Sequence, residues 1–379
     1  MSDRQTPKSR SYFAATPAFK TGEDSPRKFL ERCIGVIEKL DAQIGAFVKT
    51  NFDGARKAAD EASERWKLGS PQSAIDGMPI GIKDIMETVD MGTEQGSPLF
   101  SGWRGGRDCA AVVALREAGA VIIGKTVTTE FAATHPGGTR NPWDLERTPG
   151  GSSSGSAASV VAGMLPAALG TQVIGSILRP ASYCGCFGYK PSIGGINRGG
   201  SFDEFSQSSS GVLAATLEET WSVGREISVR AGGDPGYPGI SGPLEAPAAK
   251  KPQRIALLET AGWEKATNEA KQALMVALER LTSGGIEVVD KTSDAGVAKV
   301  DESITSAMPL SMSINAWEAH WPLNTYARDM DRAKLSESAQ NRLAQAEKMT
   351  QEEYQGLLTQ RQRIRSTYAN LADGFDLCI

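Results

Sequence analysis

Between Thr148 and Pro191 the chain reads TPGGSSSGSAASVVAGMLPAALGTQVIGSILRPASYCGCFGYKP, an apolar stretch held between two glycine-rich turns that each present a serine. The first turn is Gly150-Gly151-Ser152-Ser153-Ser154-Gly155-Ser156, and the second is Gly175-Ser176. The run from Val160 to Leu169 is shorter than the roughly 20 residues of a membrane span, so it belongs in a protein core. Small residues from Ser156 to Met164 predict a closely packed helix, and Ala167–Gln172 a strand leading into the second turn. Turns this rich in glycine let the backbone approach a ligand and aim successive N–H groups the same way. A hydroxyl in each turn points to nucleophilic chemistry. Two tight loops around a buried helix is the competing reading of this segment taken alone.

A serine hydroxyl is a poor nucleophile without a neighbouring base. The chain has two histidines, His135 and His320, and neither sits beside a Gly-x-Ser-x-Gly elbow, which argues against a Ser-His-Asp hydrolase. A lysine is the alternative. In Gly77-Met-Pro-Ile-Gly-Ile-Lys-Asp84, Met78–Ile82 reads as a buried strand that delivers Lys83 at its end. Burial there lowers a lysine's pKa towards neutrality. Snorkelling to solvent or pairing with Asp84 are the other local readings.

A net charge of −4 carries no basic field for nucleic acid. The five cysteines are scattered, and Cys184-Gly-Cys186 lacks the spacing of zinc ligands, so no metal site and a reducing, cytoplasmic setting are expected. The charged N-terminus has no apolar signal-peptide core. Residues 1–24 are expected to be loosely ordered. A helix opens at Ser25-Pro26, and Gly45–Val48 is a strand candidate. Helices are predicted over 53–67 and 108–118, and a strand over 120–123. Gly119-Ala-Val-Ile-Ile-Gly-Lys-Thr126 fits the phosphate-loop pattern letter for letter. A preceding helix and a β-branched middle argue for a strand there instead. Thr126–Ala133 reads as a short helix and 136–150 as a long loop. Another short helix begins at Pro180. Further on, 213–228 reads as helix and 234–252 as a Pro/Gly-rich linker. A β-α-β rhythm follows over 254–289, and 334–372 reads as one long charged helix.

Four ordered segments, GMPIGIKD (77–84), AGAVIIGKT (118–126), NPWDLERTPGGSSSGSAA (141–158) and ALGTQVIGSILRPASYCG (168–185), resemble the amidase signature family of serine amidohydrolases. The resemblance is strong over 25–230 and weak beyond. It implies a single α/β domain over 1–379, with a mixed central β-sheet flanked by helices, a signature core at 25–230 and a more variable part at 231–379. It also implies a Ser-Ser-Lys triad: Ser176 as nucleophile, Ser152 as bridging serine reached through a cis Gly151–Ser152 peptide, and Lys83 as base. The N–H groups of Val173, Ile174, Gly175 and Ser176 would form the oxyanion hole. The implied activity is hydrolysis of a small amide through an acyl-enzyme, with no cofactor, no nucleic acid and no membrane; a homodimer is common in the family.

The chain departs from the family pattern in places. Ile174 replaces a glycine, Gln172 an aspartate, and Arg179 stands three residues after Ser176. The arginine resembles that of the malonamidase-like branch and implies a carboxylate-bearing substrate; an arginine that satisfies loop carbonyls is the alternative. Family members continue past this length with strands that complete the central sheet, so the resemblance implies a C-terminally incomplete fold. Two rival readings follow: the A-type component of an aminoacyl-tRNA amidotransferase, which shares the signature, and a degenerate, non-catalytic member.

Overall fold

A computed structural model describes residues 6–379, which form two compact units. The first comprises the chain up to Pro247 together with Pro322–Asn341, and the second Ala248–Trp321 with Arg342–Ile379.

The first unit holds, in order, α1 (Thr16–Thr21), α2 (Pro26–Ile44), β1 (Phe47–Thr50), α3 (Phe52–Lys67), β2 (Pro79–Lys83), α4 (Ala110–Glu117) and β3 (Val121–Thr126). It continues with α5 (Ser154–Val161), β4 (Ala167–Gln172), α6 (Leu178–Cys184), β5 (Phe187–Tyr189), β6 (Ser209–Ala214) and α7 (Leu217–Ala231). The six strands form one mixed sheet in the order β1-β3-β2-β4-β6-β5. β2 runs parallel to β3 and β4, while β1 on β3, and β6 between β4 and β5, run antiparallel.

Period-two alternation sorts the strand residues into two cores. Ile80, Ile82, Ile122, Leu169 and Val212 pack with Phe29, Trp66 and Leu115 on one face. Val121, Ile123 and Ala168 pack with Leu30, Ile34 and Leu165 on the other. α5 is buried at every residue, which its small side chains permit. A Cβ on Gly155 would collide with Ala46 O and Val127 N, so only glycine lets this helix lie so close to the end of β3.

The elements that follow are β7 (Arg254–Ala256), α8 (Asn268–Ser283), β8 (Glu287–Val289), α9 (Ala295–Ile304), α10 (Ala307–Asp329), α11 (Glu337–Ala346), α12 (Gln351–Ala369) and β9 (Leu377–Cys378). Helices α10 and α11 contribute residues to both units, and the others belong to the second. The second unit's parallel sheet runs β8-β7-β9 over a core of Ala256, Val289, Val297, Val300 and Leu371.

Four expectations change. Residues 1–5 lie outside the described residues, but the segment that follows is anchored rather than loose. Tyr12 is fully buried, its hydroxyl donating to Asp76 O (2.5 Å) and its N–H to Glu219 Oε1 (2.6 Å). The stretch 126–133 is not a helix: β3 extends to Thr126, and a short 3-10 turn, Glu130–Ala132, follows with Phe131 and Ala132 at positive φ. The apolar run near 213 belongs to strand β6, and the helix starts only at Leu217, where Thr216 accepts from Glu219 N–H as its cap. The long C-terminal helix is broken at Thr350, whose side chain accepts from Glu353 N–H while Glu353 accepts from Thr350 N–H, so a capping box starts a new helix. The phosphate-loop pattern is filled by β3, buried along its whole length, with Gly119 closing α4 at φ 83°.

Candidate active site

β2 places Lys83 at its C-terminal end, fully buried. Its Nζ donates to Ser152 Oγ at 2.7 Å and to Thr171 Oγ1 at 2.8 Å. Burial pushes the lysine pKa down to about 7, against an upward pull from the Asp203 carboxylate. Lys83 neither snorkels nor pairs with its neighbour. Asp84 faces Lys125, whose Nζ lies 3.4 Å from Asp84 Oδ1 and donates to Met86 O (2.6 Å) and Thr93 Oγ1 (2.7 Å).

Ser152 precedes α5, and the Gly151–Ser152 peptide is cis. Its carbonyl accepts from Thr129 N–H at 3.1 Å. The other serines of this turn do structural work. Ser153 Oγ donates to Thr171 O, Ser154 Oγ to Val127 O, and Ser156 Oγ to Leu169 O. Of these hydroxyls, Ser152 is the one that reaches Lys83.

The two serine turns are joined by their backbones, with Ser153 N–H donating to Ser176 O at 3.2 Å. Ser176 is buried. Among the described residues its hydroxyl makes no hydrogen bond to Ser152 or Lys83; the structure brings Lys83 and Ser152 into contact and sets Ser176 on the adjoining turn. That turn is shaped by Gln172, whose Oε1 accepts from both Ile177 and Leu178 N–H at 2.9 Å. Gly175 holds φ +145°, a conformation that L side chains avoid. Among the described residues, the N–H groups of Val173, Ile174, Gly175 and Ser176 donate to no protein acceptor. Successive free donors in one turn form an anion-binding concavity. Ile174, despite its branched side chain, leaves its N–H as available as a glycine would.

A cleft of about 280 Å³ opens beside Gly150 and Gly151, bounded also by Thr129, Thr134, Arg179 and Tyr183. Ser152 and Ser176 do not line it, although Gly151 and Ser154 do. Arg179 is exposed, donates from Nε to Gly151 O at 3.0 Å, and forms no ion pair among the described residues. Sequence reasoning missed Thr171 and Asp203. A threonine at the penultimate position of the strand that leads into the Ser176 turn was a readable signal for the first; nothing local marked the second.

A mixed α/β sheet carrying a buried lysine hydrogen-bonded to a serine, next to a turn of unpaired N–H donors, is the kind of site on which acyl transfer is built. The chain matches the Amidase family over residues 28–379 and belongs to that family, the amidase signature enzymes. It is 39% identical over 246 residues to the A component of the glutamyl-tRNA(Gln) amidotransferase of Chloroflexus aggregans, covering 62% of this chain and 49% of that protein. The same component from Anaeromyxobacter sp. (strain K) is 39% identical over 211 residues, 54% of this chain and 41% of the relative. The chain thus spans about half the length of the curated relatives it matches. Among solved structures, a chain of an inhibitor-bound vestigial protein complex, described as revealing the evolutionary origins of an s-triazine catabolic enzyme, superposes with a TM-score of 0.82 at 26% identity, covering 97% of this chain and 80% of that one. A bacterial aryl acylamidase, at 21% identity and a TM-score of 0.78 over 98% of this chain and 80% of that one, shares the fold.

Proposed function

We propose that the chain hydrolyses the C–N bond of a small amide through Ser176, Ser152 and Lys83. Ser176 Oγ attacks the amide carbonyl carbon. Its proton passes to Ser152 Oγ as the Ser152 proton passes to Lys83 Nζ. The oxyanion is held by the N–H groups of Val173, Ile174, Gly175 and Ser176, each worth about 3–4 kcal/mol in comparable sites. The relay then returns a proton to the amide nitrogen as the C–N bond breaks, leaving an acyl-Ser176 ester and a free amine. Water, deprotonated by the same relay, attacks the ester and releases the acid. This route requires no metal and no cofactor.

The observation that supports this reading most is the fully buried Lys83 Nζ at 2.7 Å from Ser152 Oγ, with its pKa brought to about 7, where an amine serves as a general base. Membership in the amidase family agrees with it. Ammonia release across a panel of small amides tests it. Wild type is expected to turn over at least one, and Ser176→Ala and Lys83→Ala none; full activity in either variant would refute the triad. Arg179, exposed beside the cleft, makes a carboxylate-bearing amide the favoured substrate.

A second reading is the A-type component of an aminoacyl-tRNA amidotransferase, favoured by the 39% identity to such proteins. On that reading the chain copurifies with partner chains and its amidase step depends on them. A degenerate, non-catalytic member would fail to label at Ser176 with a fluorophosphonate probe.

A further inference from the structure

The loop that ends at Asp203 is stitched to the residues that follow Lys83. Ser201 bridges Met86, Phe202 N–H donates to Ile85 O at 2.9 Å, and Glu87 N–H donates to Gly200 O at 3.1 Å. Arg198 fixes the far side, donating from Nη1 to Asp203 O and to Phe205 O at 2.9 Å each, while its Nε holds Asp234 Oδ2 at 2.6 Å. The Asp203 side chain is 2% exposed, and among the described residues neither carboxylate oxygen has a hydrogen-bond partner. Four other buried acids of this unit have a cationic partner: Asp76 with Arg65, Asp84 with Lys125, Glu87 with Arg107, and Asp234 with Arg198. A buried carboxylate left this way is costly unless something cationic compensates it.

Lys83 has the complementary shortage. Both of its hydrogen-bond acceptors are neutral hydroxyls, and the carboxylate next to it in sequence is engaged by Lys125. From these placements we infer that Asp203 is the counter-ion of Lys83, a positioning residue that stabilises the ammonium formed when the lysine takes the relayed proton. The inference rests on the proposed triad. Burial drives the lysine towards the neutral form, the Asp203 carboxylate pulls the other way, and Lys125 spends its charge on Asp84, Met86 O and Thr93. The neutral hydroxyls accept the lysine's hydrogen bonds, and the carboxylate supplies the charge they lack. The lysine is thereby neutral enough to accept a proton and still able to hold one.

The test is the pH profile of kcat/KM in Asp203→Asn, with Asp203→Glu beside it. Removing the carboxylate lowers the Lys83 pKa, so the acid limb moves to lower pH, by on the order of one pH unit for a close opposite charge. The plateau rate falls as well, because Lys83 becomes a weaker base. Asp203→Glu, which keeps the charge, returns the limb towards wild type. A 13Cε-lysine titration of Lys83 in both proteins reads the same shift without turnover. An unmoved limb and an unmoved Lys83 titration in a folded Asn variant overturn the inference while leaving the triad standing. Loss of folding in both variants would assign Asp203 to the fold and overturn it equally. Full activity in Lys83→Ala would instead strike down the triad itself.

Discussion

Asp84, adjacent in sequence to Lys83, turns its carboxylate to Lys125 on the neighbouring strand, with Nζ and Oδ1 3.4 Å apart and both side chains excluded from solvent. This pairing keeps the two buried lysines distinct, one in contact with a carboxylate and the other donating its hydrogen bonds to hydroxyls. Burial raises Asp84 to about 6 and lowers Lys125.

Lys125→Met tests the pair as a structural device. It would leave a lone carboxylate at Asp84, and such broken buried pairs typically cost about 3–5 kcal/mol. Urea denaturation should show a loss of that size, while the double variant Asp84→Asn/Lys125→Met should recover most of it. A loss below about 1 kcal/mol in the single variant would mean that the pair is not what holds the loop after β2.

Lys83 gives two opposite pH effects. As a base it must be neutral, so kcat/KM should rise with pH through about 7 and level off above. As a folded group its pKa lies below the value of an unfolded lysine. The unfolded chain therefore binds more protons than the folded one, and the Lys83 contribution to stability grows as pH rises above about 7 and is lost as pH falls through it. Lys83→Met should abolish activity and raise the thermal midpoint, more at pH 6 than at pH 10. A midpoint gain equal at both pH values, or an activity profile flat from about pH 6 to 9, would contradict a neutral, buried Lys83.

Gln172 shapes the Ser176 turn by accepting two N–H groups at the start of α6 through one amide oxygen. Gln172→Ala frees both donors and loosens Val173–Ser176. The expected result is a stability loss of about 1–2 kcal/mol, similar to losing a helix cap, with a fall in kcat at nearly constant KM. Gln172→Glu keeps the acceptor and should hold the stability. An alanine variant with unchanged kcat would show that the donors of this turn need no such support.

The central strands and the buried lysine were legible because their signals are local. β2 and β3 each open on apolar residues and glycine, and a lysine after Ile80-Gly81-Ile82 must be buried by its own strand. What was not legible depends on partners distant in sequence. Tyr12 is ordered by Asp76 and Glu219, which no composition of residues 1–24 reveals. β6 was hidden because Ser209-Ser210-Gly211 has little strand propensity and is held by pairing with β4. Phe131 and Ala132 lie in a turn whose Phe131 N–H is satisfied by Gln95 O, so tertiary contact overrides the helical pattern of Thr126–Ala133. Asp203 became visible only where its loop meets the end of β2.

Arg179 is the residue on which substrate charge turns. One bond, from Nε to Gly151 O, satisfies a loop carbonyl as the plainer reading of the sequence has it. The rest of the guanidinium borders the cleft without an acidic partner among the described residues. Arginine bonds to a carboxylate are worth about 1.5–3 kcal/mol, roughly 10- to 150-fold in binding. Arg179→Met should therefore weaken kcat/KM for a carboxylate-bearing amide by about that factor more than for its neutral isostere, because loss of the Gly151 contact lowers both alike. The ratio of the two specificity constants separates charge recognition from loop support. A ratio unchanged between wild type and variant would leave Arg179 as a brace for the Gly151 carbonyl, with substrate charge read elsewhere in the site.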